Sequence, residues 1–360
     1  MSGTAETLQP GARVLVVGGA GFVGSNLVRA LLERDPAEGL VVDNLLSAER
    51  ENLPDDPRVR LIEASINDDE VLAALPRELD YAFHLSTYHG NQSSMADPLA
   101  DHEHNTLTTL KLCEALKDHD RLDRLVYASA GCTVAEKTFD GAEATQEDAP
   151  VSLHLDSPYQ ISKIIGEYYL NYYGSRHGLP GVKARFQNVY GPGEVLGAGR
   201  WRGTVNTVWR NVTPTFIYKA LRQEALPVEN GGIATRDLIY VGDMAEGLIA
   251  CAVRGGAGEV YNLASGVETS IRELAELINE LTGNPTPIAL TPARDWDHSG
   301  QRYGSTAKAR EELGFEALTP LREGLERTIE WTRENLDWIE RCMARHAERV
   351  PDLPVPLAGR

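Results

Sequence analysis

A chain of 360 residues exceeds the roughly 250 to 300 at which one hydrophobic core stops growing, so it has room for a large α/β unit and a second lobe. With 42% hydrophobic and 24% charged residues it lies in the ordinary folded range, which excludes disordered, collagen-like and disulfide-dense classes. A formal charge of -18 repels phosphodiester backbones, so no nucleic-acid partner is expected and any phosphate must be held by a local set of donors.

Met1 to Gly11 is polar, without a basic patch or an apolar run, and no stretch reaches the roughly 18 apolar residues of a bilayer span. The expectation is a cytoplasmic protein without a membrane segment. From Arg13 to about Val182, short apolar runs alternate with longer amphipathic ones, which predicts a Rossmann-type doubly wound parallel sheet flanked by helices. The predicted strands are 13–18, 40–43, 59–63, 81–85, 124–128 and 182–185, and the predicted helices are 22–34, 98–117 and 158–177. Beyond Asn188 the alternation weakens into GPGEVLGAGRWRGTVNTVW, where a smaller α/β substrate lobe is expected to begin. Further strands are read at 236–241 and 260–263, and Ser270 with Glu273 forms a capping box before an amphipathic helix. The expected division is 12–187 for a dinucleotide-binding domain, with about 232–265 returning to it. Residues 188–345 then form the substrate lobe and 346–360 a loosely ordered tail.

Gly18, Gly21 and Gly24 follow a predicted strand and open a predicted helix, the context in which such spacing cradles a pyrophosphate. Asp43 ends the second strand nineteen residues after Gly24, close to the separation at which an acidic side chain meets the adenosine ribose. Asn44 to Ser47 holds no Arg for a 2'-phosphate, which favours NAD over NADP. Tyr159 and Lys163 lie four apart on a predicted helix and so share a face. A phenol with an ordinary pKa of about 10 needs such an ammonium to act as a base toward a sugar hydroxyl.

Four cysteines, Cys113, Cys132, Cys251 and Cys342, are widely spaced without a CxxC pair, so free thiols are expected. His102 and His104 sit two apart on a predicted helix and diverge, so no metal site is expected. His84 reads as a packing residue at a strand end. His89, Asn91 and Ser94 follow the fourth strand, where ligands gather in such sheets, and are candidates for the substrate.

GGAGFVG, VVDN, FHL, SMADPLADHEHN, YQISK, RFQNVYGPGE and TRDLIYVGD occur in this order, and residues 13 to about 330 resemble the extended short-chain dehydrogenase/reductase family. Within it the chain is similar to the nucleotide-sugar epimerases and dehydratases, and the GPGE to NVTPTF segment resembles a bacterial subgroup found with O-antigen sugar genes. The resemblance implies bound NAD held by Gly18, Gly21, Phe22, Val23, Asp43, Asn44, Ser65, Ile66, Leu85, Ser86, Thr87, Asn105, Tyr159 and Lys163. It implies a UDP-sugar whose diphosphate meets Asn188, Arg236, Arg294 and Arg302, and a homodimer formed by a four-helix bundle of helices 98–117 and 158–177. Trp201, Trp209 and Arg210 are expected to shape the sugar pocket.

One departure stands out: the family's Ser or Thr before its Val falls on Gly131 in YASAGCTVAEK. Thr133 is the preferred substitute, ahead of Cys132 and Ser129. No Thr-Asp-Glu or Ser-Glu run is present there, so 4-epimerisation through a transient ketone is expected. Dehydration, decarboxylation and a non-catalytic NAD-binding role remain as alternatives.

Overall fold

A computed structural model describes residues 8–88, 90–134, 138–293, 300–351 and 353. Strand β1 (Arg13–Val17) leads through a glycine turn into helix α1 (Phe22–Leu32), and strands β2 (Glu38–Asp43), β3 (Val59–Glu63) and β4 (Tyr81–His84) follow. Helix α2 (Thr108–Leu116), β5 (Arg124–Ala130), α3 (Pro158–His177), β6 (Gly181–Phe186), α4 (Val241–Arg254) and β7 (Val260–Leu263) complete the larger unit. The seven strands form one sheet in the order β7-β6-β5-β4-β1-β2-β3, every pairing parallel.

The near-continuous apolar run of β1 is what a sheet covered on both faces requires. Val14 and Val16 point to one face, against Leu27 and Leu31 of α1 and Met244 and Leu248 of α4. Leu15 and Val17 point to the other, against Leu112 and Leu116 of α2 and Leu170 and Tyr173 of α3. Val17 pairs with both Val42 and His84, so the residues after β1, β2 and β4 emerge together at one edge. That shared edge places the site.

The smaller lobe has its own three-stranded sheet, with Thr235–Tyr240 between Asn188–Tyr190 and Glu268–Ser270. Helices Val212–Leu221, Ile271–Thr282 and Leu321–Glu334 close a separate core around Phe216, Leu274 and Leu325. Ser270 and Glu273 form the predicted capping box in full. Three expectations need correction. The strand read at 236–241 belongs to this small sheet, while α4 and β7 alone carry that stretch back to the large one. The helix read at 98–117 is interrupted by a π-helical turn, His102–Leu107, inside which Asn105 is buried. The start of the expected 346–360 tail is packed: the His346 ring bonds to the Gly197 carbonyl at 3.0 Å and Val350 is buried beside Met343 and Val195, while residues 352 and 354–360 lie outside the described residues.

Candidate active site

Gly18 has φ +83, and a Cβ on it would lie 2.5 Å from the Ser86 nitrogen, so only glycine lets β1 and the segment after β4 approach. A Cβ on Gly24 would lie 2.2 Å from the Gly18 carbonyl oxygen, which fixes the seating of α1 against the turn. Helix α1 begins after Gly21 with no side-chain cap. The N–H groups of its first turn therefore face the cleft, with the positive end of the helix dipole behind them. This cradle fits a pyrophosphate.

Asp43 is buried, and its carboxylate ties two loops together. Oδ2 accepts from the Ala20 N–H at 3.0 Å and Oδ1 from the Leu45 N–H at 2.9 Å. Burial raises its pKa, opposed by these backbone donors. Asn44, Ser65 and Ile66 line the cleft beside it, where an adenosine would lie. At the other end of the cradle Leu85, Ser86 and Thr87 form the wall. His84 Nδ1 is 3.2 Å from the Ser86 hydroxyl, and its Nε2 is 2.9 Å from that of Thr109. Burial, reinforced by the Lys163 charge, holds His84 neutral with a pKa of about 3, so it orients Ser86 without carrying protons near neutrality.

Ser157 caps α3 by accepting from the Gln160 N–H, and Pro158 takes the first helical position. That start fixes the phase of the helix, so Tyr159 and Lys163 both face the cleft. Lys163 is buried and donates from Nζ to the Ala128 carbonyl at 2.9 Å, with Nζ 5.7 Å from the Tyr159 ring centre. Burial brings its pKa down to about 8, against the pull of Asp101. Tyr159 is pushed well above the ordinary phenol value, mainly by burial and then by Cys132 and Asp101. A cation at Lys163 and the positive charge of an oxidised nicotinamide act in the opposite direction.

The cleft measures about 330 Å³, within the roughly 300–1,000 Å³ of small-molecule sites, and it brings together most of the residues read from the sequence. Gly18, Gly21, Phe22, Val23, Asn91, Asn188 and Arg302 line it in addition to those above. Four predicted residues do not. Asn105 stands behind the wall, where its Oδ1 accepts from the Thr87 hydroxyl at 3.0 Å and the Tyr88 N–H at 2.6 Å; it holds that segment in place. Ser94 is buried and donates to the Asn91 carbonyl. Thr133 is buried too, its hydroxyl donating to the Ala130 carbonyl at 2.6 Å within a 3-10 turn, so it is a turn residue and offers the cleft no donor. Arg236 donates to the Thr235 and Gly300 carbonyls and braces the segment that presents Arg302. His89 and Arg294 lie outside the described residues.

Sequence reasoning missed Gln187, Glu194 and Asn211, which all line the cleft. Glu194 is 5% exposed; Oε1 accepts from the Asn211 amide at 2.6 Å, Oε2 has no partner among the described residues, and burial pushes its pKa up to about 7. Arg210, at φ +46, donates to the Ser47 and Ala198 carbonyls at 2.7 Å each, and Arg200 and Arg202 bond to the Asn44 and Leu46 carbonyls. A strap from Gly193 to Asn211 is thus latched by three arginines onto the loop that follows Asp43. The one available signal was the unusual density of Gly and Arg after GPGE. Trp201 and Trp209, expected at the sugar, pack instead with His346 and Tyr218.

The sequence profile described as the NAD dependent epimerase/dehydratase family matches residues 14–264. The enzyme WbmF of Bordetella bronchiseptica, solved in complex with NAD+ and UDP, is 60% identical with a TM-score of 0.86, covering 94% of this chain and 98% of that one. The UDP-glucose 4-epimerase of Mycolicibacterium smegmatis is 31% identical over 331 residues, 89% of this chain and 98% of its own. A dTDP-glucose 4,6-dehydratase of Streptomyces antibioticus is 29% identical over 342 residues, 93% of this chain and 96% of its own. UDP-glucuronic acid decarboxylase 3 of Arabidopsis thaliana is 30% identical over 320 residues, 88% of this chain and 88% of its own, so similarity at this distance extends to three reaction types.

Proposed function

Because the chain belongs to the NAD dependent epimerase/dehydratase family, we propose that it epimerises a UDP-sugar at C4 through a transient 4-keto intermediate, with Tyr159 as acid and base. The cofactor is NAD, which when bound accepts and returns hydride. The observation that carries the choice of reaction is the turn beside Tyr159. Gly131, Cys132 and Thr133 bring no carboxylic acid, whereas elimination of water needs a second acid and base next to the ketone. Lys163, cationic below about pH 8, favours the phenolate that takes the hydroxyl proton.

Asn188 and Arg302 are assigned to the substrate diphosphate, with Arg236 positioning Arg302; a guanidinium fits two phosphate charges on a chain of -18. The choice of uridine is supported by the UDP complex of the 60% identical WbmF. One observation favours dehydration as a second reading: Glu194 puts a carboxyl group titrating at about pH 7 into the same cleft.

Purified protein, without added NAD, is to be incubated with UDP-hexoses, UDP-hexosamines and UDP-uronic acids and followed by NMR. A C4 epimer is the expected product. A 4-keto-6-deoxy sugar would replace this reading by dehydration, and a pentose by decarboxylation.

A homodimer belongs to the same proposal. Leu99 is 81% exposed, and Ile161, Tyr168 and Tyr172, at 47, 57 and 54%, form one apolar stripe along α3. Light scattering should give twice the chain mass. Among the described residues no helix is long and apolar enough to cross a membrane, and the cytoplasm is the proposed location.

A further inference from the structure

Gly131 and Gly304 share an unusual reason for being glycine. Neither has a positive φ, so the backbone does not demand it. A Cβ on Gly131 would instead lie 2.2 Å from Gln187 Nε2, and a Cβ on Gly304 would lie 2.9 Å from the same atom and 2.9 Å from the Ala264 Cβ. Two missing side chains make room for one amide. Gln187 follows β6, anchored by its backbone N–H to the Leu263 carbonyl at 3.3 Å, and its half-buried side chain lines the cleft with Cys132, Tyr159 and Asn188.

A primary amide has two N–H donors and one acceptor, yet the Gln187 side chain makes no hydrogen bond among the described residues. An amide without a protein partner at the cleft wall is available to a ligand oxygen. Its rivals for that oxygen are weaker. Ser129 lines the cleft, but its hydroxyl is donated to Glu167 at 2.5 Å. Thr133 is turned into its own loop. Cys132 offers a thiol, a poor donor.

We infer that the Gln187 amide is the hydrogen-bond donor to the reacting oxygen of the sugar, filling the place that a hydroxyl side chain at 131 would occupy. This rests on the reading of the site as one that oxidises and re-reduces a C–OH carbon. In the forward step the C–H electron pair leaves with its hydrogen as hydride to oxidised NAD, the O–H proton passes to Tyr159 Oη, and the C=O bond forms. Gln187 donates to that oxygen before and after, and keeps its own proton because an amide does not titrate in this range. The hydroxyl proton therefore has one acceptor, Tyr159, and Gln187 acts as a fixed donor that strengthens as carbonyl character develops.

The test uses the NAD-loaded full-length protein, whichever UDP-hexose, UDP-hexosamine or UDP-uronic acid the wild type epimerises as the probe, and transient reduction of the bound nicotinamide followed by stopped-flow absorbance. Gln187→Ala should slow reduction roughly 100-fold, with the pH midpoint unmoved and UDP affinity, measured by calorimetry, within about threefold of wild type. Gly131→Ser alone should lower both the thermal midpoint and the rate, because its side chain meets the amide. The double variant G131S/Q187A should regain at least about tenfold over Gln187→Ala and recover the thermal midpoint, because the hydroxyl then fits the vacated space. A folded Gln187→Ala protein reducing NAD within about threefold of wild type, or a double variant no better than Gln187→Ala, overturns the assignment. Wild-type protein that gives neither transient NAD reduction nor a C4 epimer with any UDP-hexose, UDP-hexosamine or UDP-uronic acid overturns the epimerase reading and this inference with it. Wild-type reduction with an indifferent Gln187→Ala overturns the inference alone.

Discussion

The two sides of the cleft differ in how their polar groups are satisfied. On the cofactor side, Asp43, Ser86 and Lys163 are each anchored by backbone or a neighbouring ring, and the glycine cradle is shaped by main chain alone. On the strap side, Glu194 Oε2, Arg202 Nε, Thr204 Oγ1 and Arg210 Nε are all buried without partners, four of the seven such atoms among the described residues. Buried polar groups elsewhere in proteins are nearly always paired, and two of these four atoms, Glu194 Oε2 and Arg210 Nε, belong to residues that line the cleft. The cofactor half is a self-sufficient frame. The strap carries unpaired polar atoms beside the same cleft.

Tyr159→Phe should have the largest effect on the chemistry and none on the cofactor frame. It removes only the proton carrier, so turnover by NMR should fall roughly 1,000-fold while copurified NAD is unchanged. Loss of NAD in that variant would break the separation between frame and chemistry. Gly24→Ala acts on the frame itself: a methyl 2.2 Å from the Gly18 carbonyl should cost about 3 kcal/mol or more in denaturant unfolding and should also deplete bound NAD.

Two titrations then set the halves against each other. Lys163 has a pKa of about 8 in the fold against an ordinary 10.5. Below pH 8 it is charged in both folded and unfolded chains, and its burial opposes folding; the penalty fades as pH rises toward 10.5. NAD-free Lys163→Met should therefore be more stable at pH 7, by on the order of 3 kcal/mol, with the gain shrinking above pH 8 while turnover is lost. Glu194 runs the other way, with a pKa of about 7 against 4.5. Its burial costs nothing below pH 4.5, where both states are protonated, and stability falls as pH rises to 7. Glu194→Gln should leave acid stability unchanged and add on the order of 3 kcal/mol above pH 7, read from thermal midpoints across that range. A gain at both ends of the range would mean that the carboxylate is not the source of the penalty.

The same divide governs what could be read from the sequence. RVLVVG, the three glycines and Asp43 lie within one β-α-β unit, so spacing alone carries their geometry, and Tyr159 and Lys163 meet by helix periodicity. Thr133 failed because a short hydroxyl in a turn bonds its own backbone more readily than it reaches a ligand. Gln187 escaped notice because its partner is an absence, at Gly131 and Gly304, far away in the chain and linked by no periodicity. Asn105 was assigned to the nicotinamide end, but the π-helical turn turns it inward to hold Thr87 and Tyr88. Arg236 shows the same limit: the family resemblance implies a diphosphate contact, and the fold uses the side chain to hold two carbonyls. The arginines of the strap escaped because their targets, the carbonyls of Asn44, Leu46 and Ser47, have no side-chain identity to read.

In the proposed reaction a hydride leaves and returns to the same sugar carbon while Tyr159 handles the proton. UDP-hexose carrying deuterium at C4, converted in ordinary water and analysed by NMR and mass spectrometry, tests it most directly. The account predicts a C4 epimer that keeps the full label at C4. Label found at C6, or lost to solvent, would contradict it.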